Sequence, residues 1–424
     1  MKQTLRGWNS FDSYGIFITE NQVLENLSIM QKRLLPYGYD IFCIDLGWYA
    51  DYEFQTNPNA PINVDKCNIY IDEYGRFIPS PVIFPHGFEY IANLIHKAGM
   101  KFGVHIMRGI PRAAYEKNSP ILNTNYTCRD IADKRNICIW GPLTYGIDTN
   151  HQAAQSYYDS EIALLASWGV DFIKADDIIS YPEDVKMLHN AIKKCGRNIT
   201  LSLSPGNQTS LLEKELWNEC ADSIRISSDI WDREADIDKI FTMWELWEDF
   251  DSDRCNIDLD MIPFGKLQVY APPNLEKNAL FAGEGKCRNS ELTLPQKRTF
   301  ITQRALAASP LFMGGELNNT SEEEFHLLTN ANMLACQANQ RTGKKIFHRR
   351  NLDVRYAPRQ DGNGGWLGIF NRNCIDLIFH DELKEIPANC IIKNIWNNSQ
   401  VCWKDHKIMV DVPAHDVVFI YCEF

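Results

Sequence analysis

The sequence has no Cys-x-x-Cys pair, no Gly-x-Gly-x-x-Gly or Gly-Lys-Ser/Thr loop, no apolar run of about 18 residues and no excess of basic charge. Each absence removes a class of function. Without a glycine-rich phosphate turn, an open nucleotide-binding sheet has little support. Without a long apolar run, no membrane span is expected. The formal net charge is -12, which disfavours nucleic acid and anionic lipid as partners because both are held by basic patches. Small neutral or polar partners remain. The 13 cysteines are odd in number and scattered, arguing against a zinc site or a dense disulfide framework. Most are expected as buried thiols, with Cys128 and Cys138 close enough in sequence to pair in an oxidising compartment. Met1 to Arg6 form no apolar targeting segment, so the expectation is a cytoplasmic protein, or an exported one whose signal has been removed.

What is present is ordinary globular material: 424 residues, 45% hydrophobic and 23% charged. That allows one large domain and a smaller one. Aromatics reach 12%, with 11 tryptophans. Sugar faces stack on such rings, although a tryptophan is more often core.

From Gly7 to about Lys345, short apolar runs alternate with longer amphipathic segments, as in repeated β-α units. Ile41 to Ile44, Phe102 to Ile106, Phe172-Ile173, Thr200 to Leu203 and Ser223 to Arg225 read as strands. Gln22 to Leu34, Gly87 to Ala98 and Ala153 to Trp168 read as helices, and Gly38, Gly99 and Gly169 stand where glycine C-caps belong. Seven or eight such units predict a (β/α)8 barrel over residues 1–344. Beyond it the pattern changes to alternating runs at Leu352 to Tyr356, Trp366 to Phe370, Cys374 to Phe379, Cys390 to Trp396 and Val417 to Tyr421. Residues 345–424 are thus expected to form an antiparallel β-sandwich, packed firmly because no Pro- or Ser-rich linker precedes it.

The stretch most able to carry chemistry is Trp168 to Asp177, an apolar run that ends in Lys174, Asp176 and Asp177. In strand-helix barrels, catalytic groups sit at the C-terminal ends of strands; a surface turn with solvated charges is the plainer alternative. Asp45, Asp229, Asp258 and Asp260 occupy similar strand ends, with His105 the main histidine there. Hydrolysis of a glycosidic bond needs two carboxyl groups, one ionised and one holding a proton, and the chain offers several. No Gly-x-Ser-x-Gly elbow supports serine catalysis. No His-x-His or His-Glu-x-x-His spacing supports a metal, although His105 and several aspartates would come together in a barrel mouth. Neither metal nor cofactor is expected.

A series of motifs then narrows the reading: Gly7-Trp8-Asn9-Ser10, Ile44-Asp45-Leu46-Gly47-Trp48, Phe84-Pro85-His86-Gly87 with Gly99 to Gly103, Trp168 to Asp176, Arg225 to Asp229, Asp258-Leu259-Asp260-Met261, and Ala307 to Gly314. In this order they resemble the α-galactosidase family, glycoside hydrolase family 27. The resemblance implies a retaining exo-glycosidase acting on terminal α-galactoside-like residues of oligosaccharides or glycoconjugates, with carboxyl groups about 5 to 5.5 Å apart. It implies Asp176 as nucleophile and Asp229 as general acid/base. Asp45, Lys174, Arg225 and Asp260 would bind the sugar, with Trp8 and Trp48 as aromatic walls of the pocket. Asp260 would equally brace its loop. Lys174, two positions before Asp176 on the same strand face, favours the ionised nucleophile.

The sequence departs from the family at three places. Leu46 replaces a second aspartate and cannot accept a hydrogen bond from an axial hydroxyl, which puts galactose in question. Ser202 to Asn207 replaces a bulkier segment facing the 2-position, so that Ser204 and Gly206 would leave room for a 2-acetamido group. Arg108 lies where aromatic and acidic residues are usual and would meet an anionic or branched substituent, or pair with a nearby aspartate. α-N-Acetylgalactosaminidase and β-L-arabinopyranosidase are therefore the alternatives within the family, and a non-catalytic sugar-binding relative is the alternative of another functional class. The long loop from Asn118 to Tyr145 would shape an added subsite.

Overall fold

A computed structural model describes residues 2–57, 59–61, 63–64, 66–206, 209–250, 252–271, 275, 282–349, 351–388, 390–397 and 401–424. Asn207, at the end of the Ser202 segment, lies outside them. Eight parallel strands form the central sheet: β1 (Arg6–Asn9), β2 (Ile41–Ile44), β3 (Lys101–Met107), β4 (Phe172–Asp176), β5 (Thr200–Leu203), β6 (Ser223–Arg225), β7 (Asn256–Asp258) and β8 (Leu311–Met313). Their order in space follows the chain from β1 to β7, with β8 returning to pair with β1. A parallel bridge from Ile262 to Met313, flanked by the Ile262 N–H to Phe312 O bond of 2.8 Å, closes the ring. The result is a (β/α)8 barrel.

The strands are short and almost wholly buried, as parallel strands covered on both faces must be. Helices α1 (Glu20–Arg33), α2 (Gly87–Lys97), α3 (Ala154–Ser167), α4 (Pro182–Lys194), α5 (Lys214–Cys220), α6 (Glu234–Trp247) and α7 (Leu294–Leu306) follow the strands in turn. Local chemistry sets their ends. Thr19 and Gln22 form a reciprocal capping box at the start of α1, and Lys32 and Arg33 complement its C-terminal dipole. Gly99 (φ 85°) and Gly169 (φ 91°) turn the chain from α2 and α3 into the next strand in left-handed backbone that only glycine adopts cheaply.

The C-terminal region carries two antiparallel sheets. One contains β9 (Lys344–Arg349), β10 (Leu352–Pro358), β11 (Gly364–Asn371), β13 (Ile391–Asn394) and β16 (Val417–Glu423). The other contains β12 (Leu377–Glu382), β14 (Cys402–Lys404) and β15 (Lys407–Val412). Leu367, Ile369, Phe379, Ile408 and Val412 fill the space between them. We propose dividing the chain at residue 344, where the first of these strands opens. Trp366, Phe370, Val417 and Phe419 join the barrel's apolar cluster instead, so one sheet packs directly on the barrel. Cys128 and Cys138 are buried free thiols.

Candidate active site

Strand register builds the site. On neighbouring strands His105 pairs with Lys174, and Lys174 with Ser202. Residues at even spacing share a face, so Lys174 and Asp176 both point into the barrel mouth. Asp45, Lys174, Asp176, Arg225, Asp229 and Asp260 line one cavity of about 620 Å³, within the range of small-ligand pockets.

The groups are already connected. Asp45 Oδ2 accepts hydrogen bonds from Lys174 Nζ (2.9 Å) and Asn9 Nδ2 (2.7 Å), while its Oδ1 accepts from the Leu46 N–H (2.8 Å). Burial opposes ionisation of Asp45, but Lys174 and His105 outweigh it and hold the carboxyl below the ordinary range. Asp176 behaves likewise. Burial pushes its pKa up; the hydrogen bond from His105 Nε2 (3.2 Å), with the charges of Lys174 and Arg225, takes it well below the usual value. An ionised carboxylate only accepts, so Nε2 of His105 carries the proton in this contact. Lys174 is destabilised by burial and stabilised more strongly by Asp45 and Asp176, which raises its pKa overall.

Arg225 links the far wall. It donates through one terminal nitrogen to Asp260 Oδ1 (3.0 Å) and through the other to Asp229 Oδ1 (2.6 Å). The second oxygen of Asp260 accepts from the Ile230 N–H (2.8 Å). Asp260 therefore both lines the cavity and braces the turn that carries Asp229. Asp229 itself is 55% exposed, open to whatever approaches from the mouth.

Four residues expected in the pocket are placed elsewhere. Trp8 is fully buried, its indole donating to Gly315 O (2.9 Å) and its ring packed on Phe42. Trp48 donates to His105 O (2.8 Å) and packs on Phe88 and Trp168. Both indoles are held by backbone carbonyls in the core; Phe11, Trp140, Tyr181 and Trp231 supply the aromatic lining instead. Ser204 is 2% exposed and absent from the lining, where Pro205 takes its place. Gly206 leaves no space for an acetamido group, because a Cβ there would lie 2.3 Å from Arg225 O. Its smallness serves close backbone approach. Arg108 is also 2% exposed: it donates to the Asp177 carboxylate (2.9 Å) and carbonyl (2.8 Å) and stacks on Tyr181 at 3.5 Å. Asp177 has left-handed backbone (φ 58°), a conformation costly for a residue with a Cβ. Arg108 thus pins the turn that leaves Asp176 facing inward.

Sequence reasoning missed Asp12, which lines the cavity just beyond β1. Its position after the Gly-Trp-Asn-Ser motif was the available signal. The segment after β3 folds into a small three-stranded sheet built from Ile110–Pro111, Ala132–Ile137 and Thr144–Ile147. It carries Ile137, Ile139 and Trp140 to the edge of the cavity, with Ile139 93% exposed.

No protein-family model matches the sequence. The wild-type GH27 β-L-arabinopyranosidase Abp from Geobacillus stearothermophilus is 33% identical, with a TM-score of 0.88 over 100% of this chain and 97% of that one. A variant of that enzyme solved with arabinose superposes with a TM-score of 0.90 at 32% identity. The α-galactosidase mel1 of Schizosaccharomyces pombe is 24% identical over 97% of this chain and 87% of its own length. The match to α-galactosidase 3 of Hypocrea jecorina is 26% identical but spans 37% of that protein and 54% of this chain.

Proposed function

Because the chain belongs to glycoside hydrolase family 27, and is thus a glycoside hydrolase, we propose that it is a retaining exo-glycosidase that prefers β-L-arabinopyranosides to α-D-galactosides. The observation that carries this reading is the convergence of Asp176, Asp229, Lys174, Asp45 and Arg225 on one cavity with Leu46 in the same wall. Asp176, kept ionised by His105 and Lys174, attacks the anomeric carbon as Asp229 protonates the leaving oxygen. Asp229 then takes a proton from the water that releases the sugar. Lys174 donates to ring hydroxyls and Asp45 accepts from them, while Arg225 holds Asp229 beside the reacting bond.

Leu46 supports the choice of sugar. β-L-Arabinopyranose shares the ring stereochemistry of α-D-galactopyranose but lacks its hydroxymethyl group. Because both sugars carry the axial hydroxyl, Leu46 separates them through the hydroxymethyl group, whose hydroxyl finds no partner on an apolar side chain and is disfavoured when buried unpaired. The apolar edge formed by Ile137, Ile139 and Trp140 borders the same cavity and would favour aglycones with a flat or apolar face.

The test is a panel of aryl β-L-arabinopyranoside, α-D-galactoside and α-N-acetylgalactosaminide. Highest kcat/KM on the pentoside is expected, and replacing Leu46 by Asp should narrow its lead over the galactoside by at least about tenfold. Preference for either hexoside in the unaltered protein would overturn the assignment of sugar. Product of inverted configuration, read by proton NMR, would overturn retention.

A further inference from the structure

Asp12 stands apart from the other acids of the cavity. Asp45, Asp176, Asp229 and Asp260 each contact a Lys, Arg or His side chain. Among the described residues, the carboxyl of Asp12 has no such contact. It is 2% exposed, lines the cavity, and its Oδ2 is buried without a hydrogen-bond partner among the described residues. Only its backbone carbonyl is engaged, accepting from Gln268 N–H and Nε2 at 2.9 Å each. A buried polar atom left unpaired is costly, so a lone one facing a ligand cavity points to a ligand.

The seat is built for this side chain. A Cβ on Gly314 would lie 2.0 Å from Asp12 Oδ2, so only glycine just past the end of β8 admits the carboxyl. Phe11 and Leu46, also in the lining, give the sugar apolar neighbours. Of the charged groups there, Asp45 and Asp176 as ionised carboxylates only accept, and Lys174 and Arg225 only donate.

We propose that Asp12 is a sugar-binding residue whose carboxyl hydrogen-bonds to a hydroxyl of the ring seated beside Lys174 and Asp260. This rests on the glycosidase reading above. The charges facing Asp12 are those of Asp260, Asp229 and Asp45, against Lys174 and Arg304. Burial first, and then the charge of Asp260, push its carboxyl well above the ordinary range, keeping it neutral where Asp45 and Asp176 are ionised. A neutral acid both donates and accepts, which suits a hydroxyl that does the same.

The experiment measures binding of L-arabinose, D-galactose and N-acetyl-D-galactosamine by calorimetry, alongside kcat and KM on the aryl glycosides, for the full chain and for Asp12→Ala and Asp12→Asn. Asp12→Ala should weaken sugar binding about 10- to 100-fold, with the larger effect in KM than in kcat. Asp12→Asn, which keeps a donor of the same size, should recover most of that loss. As pH rises and Asp12 ionises among like charges, sugar binding to the unaltered protein should weaken, and that alkaline decline should be absent in Asp12→Asn. Unchanged affinity in Asp12→Ala, or the same alkaline decline in Asp12→Asn, would overturn the proposal. A protein that binds sugar in an Asp12-dependent way but hydrolyses none of the glycosides would sink only the activity reading; one that binds none of the three sugars would sink both.

Discussion

At the scale of the residue, the division of labour between Asp176 and Asp229 follows from their surroundings. Asp176 is enclosed with a hydrogen-bonding histidine and two cations, whereas Asp229 is half open, its carboxylate held by Arg225 and its carbonyl by Lys239. Replacing Asp176 by Asn should lower kcat by about 10⁴- to 10⁶-fold while leaving sugar binding within a few fold; appreciable residual turnover would remove it as nucleophile. Replacing Asp229 by Ala should slow glycosides with poor leaving groups about 10²- to 10⁴-fold and activated aryl glycosides far less, because only the former need a proton delivered. Equal losses on both would count against the acid/base role. The depressed pKa of Asp176 fixes a sign as well. Its ionised form persists below the ordinary 3.8, so an acid limb in kcat/KM above pH 4 must come from another group. The spacing of Lys174 and Asp176 made their shared face legible in the sequence, since alternation alone decides it. The destination of Trp8 and Trp48 was not legible, because an indole serves equally as a pocket wall or as core with its N–H on a carbonyl. Asp12 was missed because it sits in the four-residue helical turn Phe11–Tyr14 rather than at the end of a recognisable apolar run.

At the scale of the element, the four-residue apolar run Ile41–Ile44 and the alternating Thr200–Leu203 declared themselves: both are strands with the boundaries read from sequence. Arg6–Asn9 and Asn256–Asp258 carry too many polar residues to show the same pattern, and gain their extended form from neighbours on both sides. In the sandwich, the run expected from Cys374 begins as a strand only at Leu377, because Asn371 Nδ2 donates to Ile375 O (2.8 Å) and ties the preceding residues into a turn. Helix α3 holds the clearest elemental weakness. Glu161 is buried on it, its Oε2 has no partner among the described residues, and burial raises its pKa from 4.5 to about 8 against the opposing charge of Arg76. A carboxyl whose folded-state value exceeds its unfolded one takes up a proton on folding. Its contribution is most favourable below about pH 4 and is lost as pH rises toward 8. At pH 7 the cost of holding that proton is on the order of 3 kcal/mol, because the unfolded chain's preference for the ionised form grows by about 1.4 kcal/mol with each step of one in pH. Replacing Glu161 by Gln should therefore stabilise the protein to urea at pH 8 and progressively less toward pH 5. A difference independent of pH would refute the buried-proton account.

At the scale of the whole molecule, the question is whether barrel and sandwich unfold as one body. The contact surface is mixed. Phe241 of α6 meets Phe370 of β11 edge-on at 5.1 Å, Trp396 Nε1 donates to Thr302 Oγ1 on α7 (3.0 Å), and Thr299 Oγ1 donates to His415 O (3.0 Å). Around these, Arg355 pairs with Glu248 (2.8 Å) and Arg372 with Asp238 (2.8 Å). The two-bonded pair of Arg298 on α7 with Asp416 is well shielded, its carboxylate 4% exposed and its guanidinium 24%. Because α7 also carries Arg304, which donates to the carbonyls of Leu259 and Asp260, the sandwich presses on the helix that positions the cavity's far wall. Removing Arg298 strands a nearly buried carboxylate; after allowance for the guanidinium's partial exposure, the loss should be about 1 to 3 kcal/mol. If the two bodies are coupled, Arg298→Ala should lower protection from hydrogen exchange in β11, β16 and barrel strands β6 and β7 by a common factor, and a double-mutant cycle with Asp416→Asn should show the two losses to be strongly non-additive. Faster exchange confined to the sandwich strands, with barrel protection and aryl-glycosidase half-life unchanged, would show that the barrel holds its site without the domain packed against it.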